Sequence, residues 1–353
     1  MKNQRQLHYF FIVICSAALL LLQGCLQDYL PRQFASREPG EAEHPQEMEK
    51  KEAVYPEQEL PPGMISVRVY FLEEKGHYLL PITQILPWTE GVARAALEKL
   101  IEGPTPAQEM RYGLRSPLSP LTKIRGLTIR DGLAKLDLSD SFLSYDPGEE
   151  RAVLNSIIFT LLQFPSVQEV ELLVEGETLE QFPGGTPGGG KFSRERGINL
   201  EVPEEINFLE ETRLVTIYFC TLLGDNRIFF VPVSRLVEKK KDIFEATLEE
   251  LLKGPRMKSH LFSELPPGTT WREIKTEGDA LIIDLSRELL NYKGGLRGEK
   301  NIYNQIALTF TEIPGVEKVH LLVEGEKITL PYGTSFREPL RPLLLLNLLE
   351  APG

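Results

Sequence analysis

Pro165 to Gly176 reads PSVQEVELLVEG, and Pro314 to Gly325 reads PGVEKVHLLVEG. Val167, Val170, Leu172, Leu173, Val174 and Glu175 recur in order as Val316, Val319, Leu321, Leu322, Val323 and Glu324. An apolar, β-branched run closed by Glu-Gly predicts a strand entering a turn. Its recurrence after about 150 residues predicts two copies of one domain, because that period is far longer than a solenoid repeat. Each copy is expected to have its own core. Val170, Leu172 and Val174 point to one side with Leu173 on the other, which predicts a central strand covered by helices.

Working outward, the same elements occur in both copies. Ile65 to Leu72 and Val215 to Leu222 predict first strands. Tyr78-Leu-Leu-Pro-Ile82 and Phe229-Phe-Val-Pro-Val233 follow turns containing Gly76 or Gly224. Pro81 and Pro232 have no N–H for a ladder, so these second strands belong at an edge. Val92, Ala93, Ala96, Leu97, Leu100 and Ile101 form a helical stripe, repeated by Ile243, Phe244, Thr247, Leu248, Leu251 and Leu252. Gly103-Pro104 and Gly254-Pro255 end those helices. Two further strands follow in each copy, the clearer being LAKLDL from Leu133 and ALIIDL from Ala280. A second helix carries Val153, Leu154, Ile157, Ile158, Leu161 and Leu162, or Ile302, Tyr303, Ile306, Ala307 and Phe310. The predicted fold is therefore α+β: two tandem repeats of β-β-α-β-β-α-β, each a mixed sheet with two helices on one face. The last connection, strand to helix to strand, is expected to be a right-handed crossover if its two strands are parallel.

A chain of 353 residues with 42% hydrophobic residues has room for two such domains. The formal charge of −12 argues against nucleic acid, which is bound through clustered Lys and Arg. Cys15, Cys25 and Cys220 have no spacing for a disulfide framework or a zinc site. The first 24 residues predict an export signal: Lys2 and Arg5 precede an apolar stretch from Tyr9 to Leu22. That stretch is about 14 residues long, short of the ~20 a spanning helix needs. Leu22-Gln23-Gly24-Cys25 resembles a bacterial lipobox, which would place a lipid on Cys25. Gln23 departs from the usual small residue, and an ordinary secretory signal is the alternative. From 25 to 63 the chain is polar and without period, as in a tether. The first repeat is assigned to 64–205 and the second to 206–353.

Several residues invite chemical readings. Gly185, Gly190 and Lys191 have phosphate-loop spacing, but Phe192 replaces the expected Ser or Thr and no helix follows. The run Pro183–Lys191 is read as a flexible loop lengthened in the first copy. Asp137-Leu-Ser139 and Asp284-Leu-Ser286 could supply an acid or base. Without a neighbouring His or second carboxylate, a strand-closing role bonding local backbone is preferred. His77, His260 and His320 share no ligand spacing, and His320 is expected to be exposed. Cys220 is read as a small buried hydrophobe, and Asn155 and Asn304 as helix residues satisfying a nearby loop. The apolar run Pro342–Leu349 is expected to pack across the other domain rather than stay exposed.

Taken as a set, the Tyr-Phe first strand, the Gly-Pro helix end, the Asp-Leu-Ser strand end and the Leu-Val-Glu-Gly strand resemble the GerM family. Members are sporulation and germination lipoproteins with two GerM domains. The resemblance spans about Ile65 to Phe336 together with the Cys25 signal. It implies a protein without enzymatic activity, cofactor or metal, anchored by lipid at the outer face of the mother-cell membrane. Its implied partner is an envelope protein or complex, with peptidoglycan as a further contact. An envelope enzyme such as a peptidoglycan hydrolase, and a solute-binding lipoprotein, are the competing classes.

Overall fold

The computed structural model describes residues 60–74, 78–202 and 211–349, all within one compact unit, Lys50–Gly353. Cys25, Gly76 and His77 lie outside the described residues. In the first repeat the elements are β1 (Met64–Glu73), β2 (Leu79–Pro87), α1 (Val92–Glu102), α2 (Pro106–Tyr112), β3 (Leu114–Arg115), β4 (Ile124–Arg130), β5 (Leu133–Leu138), α3 (Glu150–Leu162) and β6 (Glu169–Val174). The second has β7 (Thr212–Leu223), β8 (Arg227–Glu238), α4 (Ile243–Lys253), β9 (Trp271–Glu277), β10 (Ala280–Leu285), α5 (Gly295–Thr311) and β11 (Lys318–Val323). The predicted order holds, with α2 and β3 added in the first copy.

Strands β5 and β6 are parallel, as are β10 and β11, and β4 and β9 run antiparallel to β5 and β10. The mixed sheet of each repeat is this three-stranded one, β4-β5-β6 or β9-β10-β11. The hairpins β1-β2 and β7-β8 belong to separate sheets. Helices α1 and α3 pack on each other and on β1, while α3 also packs on β6. With both sides occupied, α3 buries all but two of its residues, as expected of a helix without a solvent face. In the second copy α5 likewise contacts β7 and β11.

The Leu-Val-Glu-Gly strand is not central. β5 is the middle strand, and among the described residues no strand lies beyond β6, whose outer edge meets the returning chain at the bridge of Val170 to Phe192, matched by Val319 to Leu340. Leu173 is accordingly only half-buried, while Val170 and Leu172 are enclosed. The chain then turns through Glu175 (φ 52°) and Gly176 (φ 85°), or Glu324 (φ 54°) and Gly325 (φ 83°). Two successive positive φ angles make a tight hairpin turn whose twist suits the flanking strands.

Nor are there two separate cores. Buried side chains of both repeats form one continuous cluster, joined where Tyr112 meets Phe229 edge-on at 5.6 Å.

Candidate functional site

The Asp-Leu-Ser motif closes a strand in both copies. Asp137 accepts a hydrogen bond from Gly176 N at 2.8 Å, and Asp284 accepts one from Gly325 N at 2.8 Å. Ser139 and Ser286 accept from the backbone N–H of Lys123 and Thr270. Glu175 and Glu324 accept from Asp140 N and Arg287 N, and they ion-pair with Arg125 and Arg272. Arg125 also reaches Asp137 at 3.3 Å. The carboxylates thus hold the Glu-Gly turn against the strand end.

A second pair of carboxylates escaped the sequence reading. Glu150, which opens α3, and Glu299, the fifth residue of α5, are 3% and 0% exposed. Glu150 accepts from Tyr145 Oη (3.1 Å), Thr186 N (2.8 Å) and Gly184 N. Glu299 accepts from Tyr292 Oη, Thr334 N (2.9 Å) and Tyr332 N (2.6 Å). Burial pushes the Glu150 carboxyl up, but the donors from Thr186, Gly184 and Tyr145 outweigh it and hold the group below its ordinary range. Burial and the adjacent carboxylates push the Tyr145 and Tyr292 phenols up. The available signal was the repeated Pro-x-Gly-Thr, Pro183 to Thr186 and Pro331 to Thr334.

These bonds correct the reading of the Gly-rich run. Phe182 N bonds Thr186 O and Gly188 N bonds Glu180 O, while Leu330 N bonds Thr334 O and Phe336 N bonds Ile328 O. Phe192 and Leu340 then make equivalent bridges, and Phe182 stands as far before Phe192 as Leu330 does before Leu340, so the Gly-rich run is not lengthened. The first copy is longer by one residue, between Glu177 and Glu180, ahead of the Gly-rich run. The loop is tied down by Glu150, and a Cβ on Gly184 would lie 2.5 Å from Pro147 O.

The same alignment makes the apolar tail the counterpart of Ser193–Glu201, and each segment crosses to the other repeat. Asn199 accepts from Leu79 N and donates to Leu79 O and Pro232 O, each at 2.8 Å. Asn347 accepts from Phe230 N (2.8 Å) and donates to Phe230 O (2.8 Å) and Pro81 O (2.9 Å). Leu79 corresponds to Phe230 and Pro81 to Pro232, so the two sets of bonds are reciprocal, the pattern of an isologous dimer built within one chain. Ser234 N bonds Ile198 O, and Thr83 N bonds Leu346 O. Both asparagines have left-handed backbones, φ 46° and 53°, a conformation Asn tolerates better than most residues. The edge strands β2 and β8 meet at this seam, with the amides capping carbonyls beside the two prolines. Packing of the tail across the other repeat is as expected from its apolarity.

The seam also has a charged part. Glu312 accepts from Tyr218 Oη at 2.9 Å and pairs with Arg194 of the first repeat at 3.0 Å, while Arg68 lies 3.8 Å away. Burial and the Glu312 charge push the Tyr70 phenol up to about 12.

Cys220, Asn155 and Asn304 lie buried within the fold. Cys220 is enclosed beside Tyr218, Phe230, Leu308 and Leu346, and burial, followed by Glu264, pushes its thiol up. Asn155 donates to Gly197 O and accepts from Arg196 Nε, whereas the Asn304 carbonyl oxygen is buried without a partner. His320 is half-buried rather than exposed, its neighbouring strand covering it at Ile282. His260 has φ 58° in the position that Gly113 (φ 62°) occupies in the first copy. Among the described residues no group of His, Cys, Asp and Glu could hold a metal ion, and no helix is long and apolar enough to cross a membrane.

Comparison with known proteins agrees with this arrangement. A family model described as "Germane: Sporulation and spore germination" matches residues 68–180 and 216–329. The spore germination protein GerM of Bacillus subtilis (strain 168) is 30% identical over 285 residues, covering 77% of this chain and 76% of that protein. The solved tandem GerMN domains of the sporulation protein GerM from Bacillus subtilis match with a TM-score of 0.70 at 29% identity, over 81% of this chain and 99% of theirs. With two matched domains covering most of its length, the chain belongs to the Germane family of sporulation and spore germination proteins.

Proposed function

We propose that the protein is a non-enzymatic assembly factor of sporulation or germination. A lipid on Cys25 tethers it to the outer face of the mother-cell membrane, and its two repeats bind an envelope protein or complex. The observation that carries this reading is the occupation of the repeated carboxylates. Asp137, Asp284, Glu150 and Glu299 each spend an oxygen on a backbone N–H, and a general acid or base needs that oxygen facing substrate. The reciprocal asparagines favour a rigid body, which suits a scaffold because little ordering is left for the moment of binding.

Two measurements test it. Cys25→Ala should move the protein from the membrane fraction to the soluble one; retention on membranes after an alkaline wash would remove the lipid anchor from the proposal. The purified protein should leave isolated cell wall intact, and turnover abolished by Asp137→Asn or Asp284→Asn would establish an enzyme instead.

A further inference from the structure

The seam leaves a groove of about 460 Å³ whose walls come from both repeats. Glu74, Met110 and Tyr112 stand on one side, and Leu222, Gly224 and Phe262 on the other. The walls are equivalent in backbone and different in chemistry. Aligning Tyr70 with Tyr218 places Glu74 against Leu222, and the left-handed Gly113 against the left-handed His260. One wall is thus acidic where its counterpart is apolar.

Past Met110 the groove continues into a second cavity of about 290 Å³, which shares Glu74, Met110 and Gly113 and adds Glu109. The arginines lining the two cavities are both paired, Arg111 with Asp225 at 3.0 Å and Arg115 with Glu149. Met110 is 89% exposed and Leu222 47%. A methionine held in water at a groove mouth is a side chain suited to adapt to an apolar partner.

We propose that this groove receives an extended segment of a protein partner bearing Lys or Arg beside an aliphatic or aromatic residue. The cation lies between Glu74 and Glu109, and the apolar side chain rests on Met110, Leu222 and Phe262. An acidic rim repels anionic lipid headgroups and nucleic acid, and it steers a basic segment in. This rests on the protein-binding reading above, but it concerns residues remote in sequence from Cys25, so the membrane-release assay and the groove assay fail independently.

The test uses the full-length protein in detergent with two labelled synthetic dodecapeptides, one of alternating Lys and Leu and one of alternating Glu and Leu, read by fluorescence anisotropy. The Lys-Leu peptide should bind, more weakly as salt rises. Glu74→Lys and Leu222→Asp should each weaken it at least tenfold, while Leu121→Asp, at an exposed position outside the groove, leaves it unchanged. Equal binding of the Glu-Leu peptide, unchanged affinity in both groove variants, or no binding of the Lys-Leu peptide overturns the proposal. In sporulating cells, a photoreactive residue at Met110 should crosslink to a protein segment with Lys or Arg next to an apolar residue. Crosslinks only to wall fragments or to lipid overturn it as well.

Discussion

Asn347→Gly isolates what the crossing segment contributes. The side chain makes three hydrogen bonds of 2.8 to 2.9 Å in a buried setting. Each such bond contributes about 1 kcal/mol net, and carbonyls left dry add to the loss. Glycine keeps the left-handed backbone without strain, so the loss of the amide alone should cost about 2–3 kcal/mol. Asn347→Ala loses the same bonds and forces a Cβ into φ 53°, which adds roughly 1–2 kcal/mol. The assay is urea unfolding of the whole protein, read by the shift in midpoint at constant slope. Asn199→Gly should behave alike, because it makes the same three bonds from the other side of the seam. A shift below about 1 kcal/mol for Asn347→Gly would refute the assigned role of the amide, and identical values for the Gly and Ala variants would refute the strain assigned to the left-handed backbone.

Glu299→Gln should destabilise by about 2–3 kcal/mol, since an acceptor of two backbone N–H groups and a phenol is replaced by a group with its own donors; chemical denaturation measures it. The Glu150 carboxyl is held below its ordinary range in the fold, so the unfolded chain binds its proton first. Its stabilisation is therefore complete above the ordinary glutamate range and disappears as pH falls through the lowered value. Glu150→Gln should flatten that acid limb in a stability-versus-pH series. Gly184→Ala should lower stability by about 1–3 kcal/mol through overpacking against Pro147 O and Glu150. Gly190→Ala, with nothing within 4 Å, should stay within about 0.5 kcal/mol by thermal unfolding.

The duplication was legible because core positions repeat in kind: Val170, Leu172 and Val174 against Val319, Leu321 and Val323. Strand and helix order followed from the same periodicities. What stayed hidden lay where few letters are shared. Ile198-Asn-Leu200 and Leu346-Asn-Leu348 echo each other over three residues, and dissimilar Gly-rich and Ser-Phe-Arg-Glu-Pro stretches separate them from the recognisable strands. The function of those asparagines depends on a partner carbonyl in the other copy, which no local pattern records. Glu150 and Glu299 were missed for a different reason. A glutamate near the start of a helix ordinarily faces water, and only the returning loop encloses these two. Central placement of β6 was misjudged because a strand half-apolar on its second face can be covered by irregular chain, here the stretch reaching Phe192.

The crossing segments also bear on how the chain acquires its structure. Thr83 waits for Leu346, 263 residues downstream, and Pro81 waits for Asn347, 266 residues downstream. Contacts of such sequence separation are slow to form and cannot be made by a partly synthesised chain. Until both repeats have been translated, the first presents an uncovered strand edge to its surroundings. A truncated product lacking Asn347 would keep that edge, becoming a target for proteolysis or aggregation instead of a half-functional protein.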